Sequence, residues 1–194
     1  MLNTILNGSK HVCHVANKQT SSRHFYKWLI IMFNGINKKR IEEVGPDRAC
    51  AEWLLRNGAS VQWKGMKEYL TNYNLLPKEE ERFYLSGVDA TDSAIHHIGF
   101  PHFSGCKYIE DIKLVRCSYI ENDAIPLLSI VKDSLKHLEV VECKNVTDEA
   151  LLHLKNLVNL KTLKLGGMPY VENKDNVVSK LTAALPNCKI SYMD

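Results

Sequence analysis

The histidines and cysteines of this 194-residue chain are its most reactive groups, and their spacing limits what they can do. His96, His97 and His102 lie close to Cys106, so a Cys–His nucleophile can be drawn in which an imidazole takes the thiol proton. The pattern lacks an orienting acid, a cysteine-nucleophile signature and a glycine loop to cradle phosphate. Adjacent histidines on a helix also point about 100° apart, which suits surface or core positions better than one reacting centre. No enzymatic activity is expected. His11-Val12-Cys13-His14 has the residue types of a metal cluster, but it falls in a segment expected to be removed. The six cysteines (Cys13, Cys50, Cys106, Cys117, Cys143 and Cys188) include no C-x-x-C pair and no zinc spacing. Cys117 and Cys143 occupy the same place in two similar stretches, where a small apolar side chain fills a turn.

A fixed period reveals the elements that must position these residues. Leu135-x-x-Leu138-x-Val140-x-x-Cys143-x-x-Val146 matches Ile109-x-x-Ile112-x-Leu114-x-x-Cys117-x-x-Ile120 upstream and Leu160-x-x-Leu163-x-Leu165 downstream, at a spacing of 24 to 26 residues. That is the pattern of a cysteine-containing leucine-rich repeat. A strand residue such as Val140 cannot bury its face within one unit, so the units must stack. Leu85-x-x-Val88-x-Ala90 supplies a degenerate first unit. The expected fold is therefore α/β: a short leucine-rich-repeat solenoid of about four repeats over 83–194, with strands on its concave face and helices on its convex face. Helices are expected at Thr91 to Ile98, Asn122 to Val131, Thr147 to Leu157 and Asn176 to Leu185. Lys113, Glu139 and Lys164 alternate with Leu114, Val140 and Leu165, so they are expected on the concave face as a docking surface.

The N-terminal part is different in character. Residues 1–41 hold seven of the 25 basic side chains and no acid, leaving 18 basic against all 22 acidic groups in the rest. A slightly acidic body has no clustered basic face for phosphates, which excludes nucleic acid as the expected partner. The acid-free opening has the composition of a mitochondrial transit segment, placed at 1–24. Phe25 to Phe33, including Trp28, is apolar but too short to span a bilayer, which takes about 20 residues. With Lys38, Lys39 and Arg40 following, it is expected to cap the first repeat and to lie near a membrane surface. Gly45-Pro46-Asp47 opens a helix that Gly58 ends, completing an α-helical N-terminal cap domain over 25–60. Residues 61–82 should connect it to the repeats through a strand at Ala59 to Trp63 and a helix at Met66 to Tyr73.

Ile41-Glu42-Glu43-Val44-Gly45-Pro46-Asp47-Arg48-Ala49, Glu52-Trp53-Leu54-Leu55-Arg56-x-Gly58-Ala59 and Val88-Asp89-Ala90-Thr91-Asp92-Ser93 resemble the mitochondrial coupling factor B family, also called ATP synthase subunit s. That family is related to distal membrane-arm assembly components. The resemblance implies a non-catalytic factor peripheral to the matrix side of the inner membrane, partnered with ATP synthase and supporting coupling and proton conduction by limiting a proton leak. It also implies a structural magnesium ion at Gly58 and Thr91, where Asp89 or Asp92 would hold coordinated water. The family's thiol-sensitive Cys-x-Cys pair is reduced here to Cys117, because Val115 takes the first place. Two other functions stay open: assembly of the distal membrane arm of respiratory complex I, and a leucine-rich-repeat adaptor of ubiquitin ligation. Oligomeric state, including a homo-oligomer, is also open.

Overall fold

A computed structural model describes residues 28–193. The expected leader at 1–24, its His11–His14 stretch and residues 25–27 lie outside the described residues. The chain enters through α1, of which 28–34 are described, followed by α2 (Lys38–Val44) and α3 (Pro46–Arg56). Asn37 caps α2 by accepting from the Arg40 amide at 3.0 Å. In α3, Pro46 takes the first position and Asp47 meets the positive helix end. Gly58 closes this helix with φ +83°, while the amides of Gly58 and Ala59 return to the carbonyls of Leu55 and Leu54. The Trp53 indole of α3 lies against Gly99, where a Cβ would come within 2.3 Å of the ring. Only glycine leaves room for that packing.

Seven strands form one mixed sheet: β1 (Ser60–Trp63), β2 (Tyr69–Leu70), β3 (Leu85–Asp89), β4 (Asp111–Val115), β5 (His137–Val141), β6 (Thr162–Gly166) and β7 (Lys189–Met193). Their spatial order is β2-β1-β3-β4-β5-β6-β7. The strand β1 runs antiparallel to β2 and β3, whereas β3 to β7 are parallel. The sheet therefore crosses the boundary expected at 82/83. In-register pairing aligns Ile112, Leu138 and Leu163 in one buried row, and Leu114, Val140 and Leu165 in the next. No single unit could bury either row alone.

After each of β3 to β6 the chain turns through a left-handed residue: Asp92, Arg116, Glu142 and Gly167, with φ between +52° and +63°. Non-glycine residues hold this conformation only when neighbouring contacts fix it. Two such contacts come from thiols. Cys117 Sγ donates to the Ala90 carbonyl at 2.9 Å and Cys143 Sγ to the Leu114 carbonyl at 3.4 Å, so each buried cysteine ties its turn to the preceding strand.

The connections between parallel strands are less helical than expected. Helices α4 (Ala124–Leu127) and α5 (Asp148–Leu151) are single turns that pass into 3₁₀ turns at Leu128–Val131 and Leu152–Asn156. Among these connections, α6 (Lys174–Ala184) is the longest helix. The helix expected at Thr91 to Ile98 is replaced by a turn and by a 3₁₀ segment at His97–Phe103. Asp92 is left-handed there, and Gly99 and Pro101 disfavour α-helix. Met66 to Tyr73 is not a helix either, because Tyr69 and Leu70 pair with β1 as an edge strand. Ladder hydrogen bonds outweigh the local periodicity. The strand β7 extends the sheet past the last unit legible in the sequence.

Candidate functional site

The polar face of the sheet is built by register. Asp89, Lys113, Glu139 and Lys164 stand side by side on β3, β4, β5 and β6. Lys113 Nζ lies 3.3 Å from Asp89 Oδ2, and Lys164 Nζ lies 2.8 Å from Glu139 Oε1. Burial alone would raise the Asp89 carboxyl, but hydrogen bonds from Thr91 and the charge of Lys113 hold it below the ordinary aspartate value. The expected docking residues Lys113, Glu139 and Lys164 are thus brought together, but each is already paired, Lys113 with Asp89 and Glu139 with Lys164. Any charged partner must exchange one exposed ion pair for another, a small net gain.

One row away, Asp111, His137 and Thr162 also align, with His137 Nδ1 and Thr162 Oγ1 2.7 Å apart. Burial raises the Asp111 carboxyl above its usual range. This row escaped the sequence reading, although the signal was present: each member lies two positions before Lys113, Glu139 or Lys164, on the same strand face.

The junction between α3 and the first parallel strand carries Gly58 and Thr91. The Ala94 amide donates to the Asn57 carbonyl at 2.8 Å, joining the end of α3 to the loop after β3. Thr91 donates to Asp89 Oδ1 through its hydroxyl at 2.6 Å and its amide at 3.1 Å. Asp92 receives both Nε and Nη2 of Arg116, at 2.8 and 2.7 Å. The two carboxylates expected to hold magnesium-bound water are therefore already committed to Lys113 and Arg116, and they do not fit that role in this arrangement. Around Gly58 there is open space: apart from Gly58 and its chain neighbours, no heavy atom lies within 4 Å of the place a Cβ would occupy. Of the two residues expected to hold the ion, Gly58 offers a backbone carbonyl and Thr91 a carbonyl and a hydroxyl, the hydroxyl already bonded to Asp89. Among the described residues, no group of three or more His, Cys, Asp or Glu converges as a metal site.

The N-terminal segment is pinned by a buried polar network. Asn34, with no exposed surface, donates through Nδ2 to the carbonyls of Ile30 and Ala94 and to Asn57 Oδ1, at 3.0 to 3.1 Å. Its Oδ1 accepts from Trp53 Nε1 at 3.0 Å and from the His96 amide at 2.9 Å. The network faces inward while Trp28, Ile31, Met32, Phe33 and Ile36 stay exposed. Lys38 is exposed, and Lys39 makes only a 3.9 Å contact with Glu43. Arg40, expected beside a membrane with Lys38 and Lys39, also makes structural contacts. Its Nε and Nη2 bind both oxygens of buried Glu52 at 3.0 and 2.7 Å, because α2 packs on the face of α3 that carries that acid. Burial would raise Glu52, but the bonds from Arg40 and Arg48 outweigh it and hold it below the ordinary glutamate value. Among the described residues, no helix is long and apolar enough to cross a membrane.

The reactive residue types are spent on packing. His102 is stacked on Trp53, with ring centroids 5.0 Å apart, and its Nδ1 contacts the Gly99 carbonyl at 2.9 Å. Burial lowers its pKa, favouring the neutral ring. Cys106 Sγ donates to the His102 carbonyl at 3.6 Å and not to an imidazole, so the drawn nucleophile is not assembled. Cys117 is fully buried beside Cys143, whose thiol is pushed up by its hydrogen bond with Cys117 and by burial.

A mixed seven-stranded sheet whose polar face is paired in ion pairs, with Cys106, Cys117 and Cys143 tied to backbone carbonyls, defines the class as an α/β protein. Comparison with known proteins gives that class a family. The chain is 42% identical over 173 residues to ATP synthase subunit s, mitochondrial, of Rattus norvegicus, covering 87% of this chain and 86% of that one. The Homo sapiens protein of the same name is 39% identical over 188 residues, 94% of each chain. The Bos taurus protein is 39% identical over 173 residues, 87% of this chain and 86% of its own. No family model matches the chain. The chain belongs to the family of mitochondrial ATP synthase subunit s.

Proposed function

We propose that this protein is a non-catalytic component of the mitochondrial ATP synthase, acting from the matrix side of the inner membrane to support coupling by limiting a proton leak. Similarity along 94% of a relative named as a subunit of that complex carries the reading. The architecture that suits the role is a short leucine-rich-repeat solenoid with an α-helical N-terminal cap over 25–60, a connection over 61–82 and repeats over 83–194. In-register parallel strands, one per unit, support it. Peripheral attachment would use exposed Ile31, Met32 and Phe33 with Lys38 and Lys39 beside them, apolar bulk entering the interface and cations meeting anionic headgroups.

The test is affinity recovery of the tagged chain from isolated mitochondria. ATP synthase subunits should dominate the recovered material; respiratory-complex assembly intermediates in their place would sink the proposal. Changing Ile31, Met32 and Phe33 to serine should move the protein to the soluble fraction, and unchanged sedimentation with membranes would leave the segment a cap alone. Magnesium at Gly58 and Thr91 belongs to the same proposal, as a hydrated ion bridging α3 to the first unit. It should raise the melting temperature in titrations of the full chain, and an unchanged melting curve would remove the ion.

A further inference from the structure

We propose that the cleft between the start of α3 and the segment 77–84 receives an extended basic stretch of a partner polypeptide. The cleft encloses about 580 Å³. Its rim carries five exposed glutamates: Glu42, Glu43, Glu79, Glu80 and Glu81. Arg40 bridges Glu43 and Glu79, but among the described residues Glu42, Glu80 and Glu81 form no ion pair. Of the three cations in the lining, Arg48 is already bound to Glu52 and to the Pro77 carbonyl, which leaves Arg82 and Lys107 beside the five rim glutamates. The rim is therefore a surplus of negative charge, complementary to lysine or arginine and repellent to nucleic acid and anionic lipid.

A second observation is independent of charge. Trp63, which lines the cleft with 3% of its surface exposed, has an indole Nε1–H without a hydrogen-bond partner. A buried donor left unpaired is costly, and indole can only donate. An incoming peptide carbonyl would satisfy it as the cleft opens, which a bare cation could not do. The acids also argue against a single ion, since no group of three or more converges on one point among the described residues. They are spread along the rim, as a series of side-chain cations on an extended chain requires. At the mouth, exposed Tyr84 and Tyr108 pack edge to face with centroids 5.0 Å apart. Lys64 Nζ sits 3.6 Å from the Tyr108 ring centroid, so an incoming ammonium group would have to take the place of this chain's own cation there.

The inference does not depend on which complex the protein joins, because the test is a solution titration of the full chain. The probe is a short fluorescent peptide of alternating lysine and glycine, compared with the same peptide acetylated on every lysine. Saturable binding is expected for the first and none for the second. The double change Glu80→Lys and Glu81→Lys should weaken it at least about tenfold. Trp63→Phe keeps a ring but removes the donor, and should weaken it about threefold. Charge reversal elsewhere, at Glu121→Lys and Asp123→Lys, should leave it unchanged. No saturable binding, or equal weakening by the distant reversal, overturns the site; Trp63→Phe binding like the wild type overturns the assigned carbonyl contact.

Discussion

The repeat sheet and the N-terminal segments hold themselves together by opposite means. Between β4 and β6, stability comes from rows of Leu, Ile and Val with no exposed surface to speak of, and the polar side chains lie on the open face in short ion pairs. Around α1 to α3 the arrangement is inverted. Asn34 and Glu52 are buried among hydrogen-bond donors and acceptors, while Met32 and Phe33 face outward, each more than half exposed. A segment without a strand partner cannot be fixed by ladder bonds, so specific polar contacts fix it. That leaves its apolar side chains available for another surface.

The contrast can be broken most forcefully in the sheet. Leu138→Ala removes a fully buried side chain between two neighbouring rows and should cost about 4 kcal/mol in chemical denaturation. A loss near 1 kcal/mol would mean that the repeats are less tightly packed than their register implies. Glu52→Gln tests the opposite region and should cost about 3 kcal/mol, because a neutral amide cannot satisfy Arg40 and Arg48 together. Acid should act through the same group. Its folded pKa is depressed, so its contribution is complete above the ordinary glutamate value of 4.5 and is lost as pH falls through the lower folded value. In Glu52→Gln this part of the acid sensitivity should disappear from a melting-temperature profile. The smallest effect is expected on the open face: Lys164→Ala breaks a half-exposed pair with Glu139 and should cost less than about 1 kcal/mol. A larger loss would make the charge row a structural device and blur the comparison.

How far each region could be read from sequence follows the same division. Cys117 and Cys143 stood out because they share one repeat position, and their common role, a thiol bonded to the carbonyl of the preceding unit, follows from that equivalence. The α3 helix was legible from Pro46 and Gly58, whose backbone preferences are local. The pairing of Arg40 was not legible, because its partner Glu52 lies on another helix and nothing in the local run Lys38-Lys39-Arg40 distinguishes it. The charge row was half legible: strand alternation exposed Lys113, Glu139 and Lys164, but their pairing, Lys113 with Asp89 and Glu139 with Lys164, depends on register.

The sequence by itself determined the period, the positions of β1 and β3 to β6, and the buried rows, since alternation along a strand and recurrence between units are local properties of the chain. Tertiary structure decided what the spacing left open. It shortened the connecting helices to single turns and 3₁₀ segments, added β7, joined Asn34 to Asn57, Trp53 and His96, and gathered the glutamates of two separate segments around Trp63. Each of those outcomes depends on which distant residue comes to lie alongside, and only the packed chain specifies that.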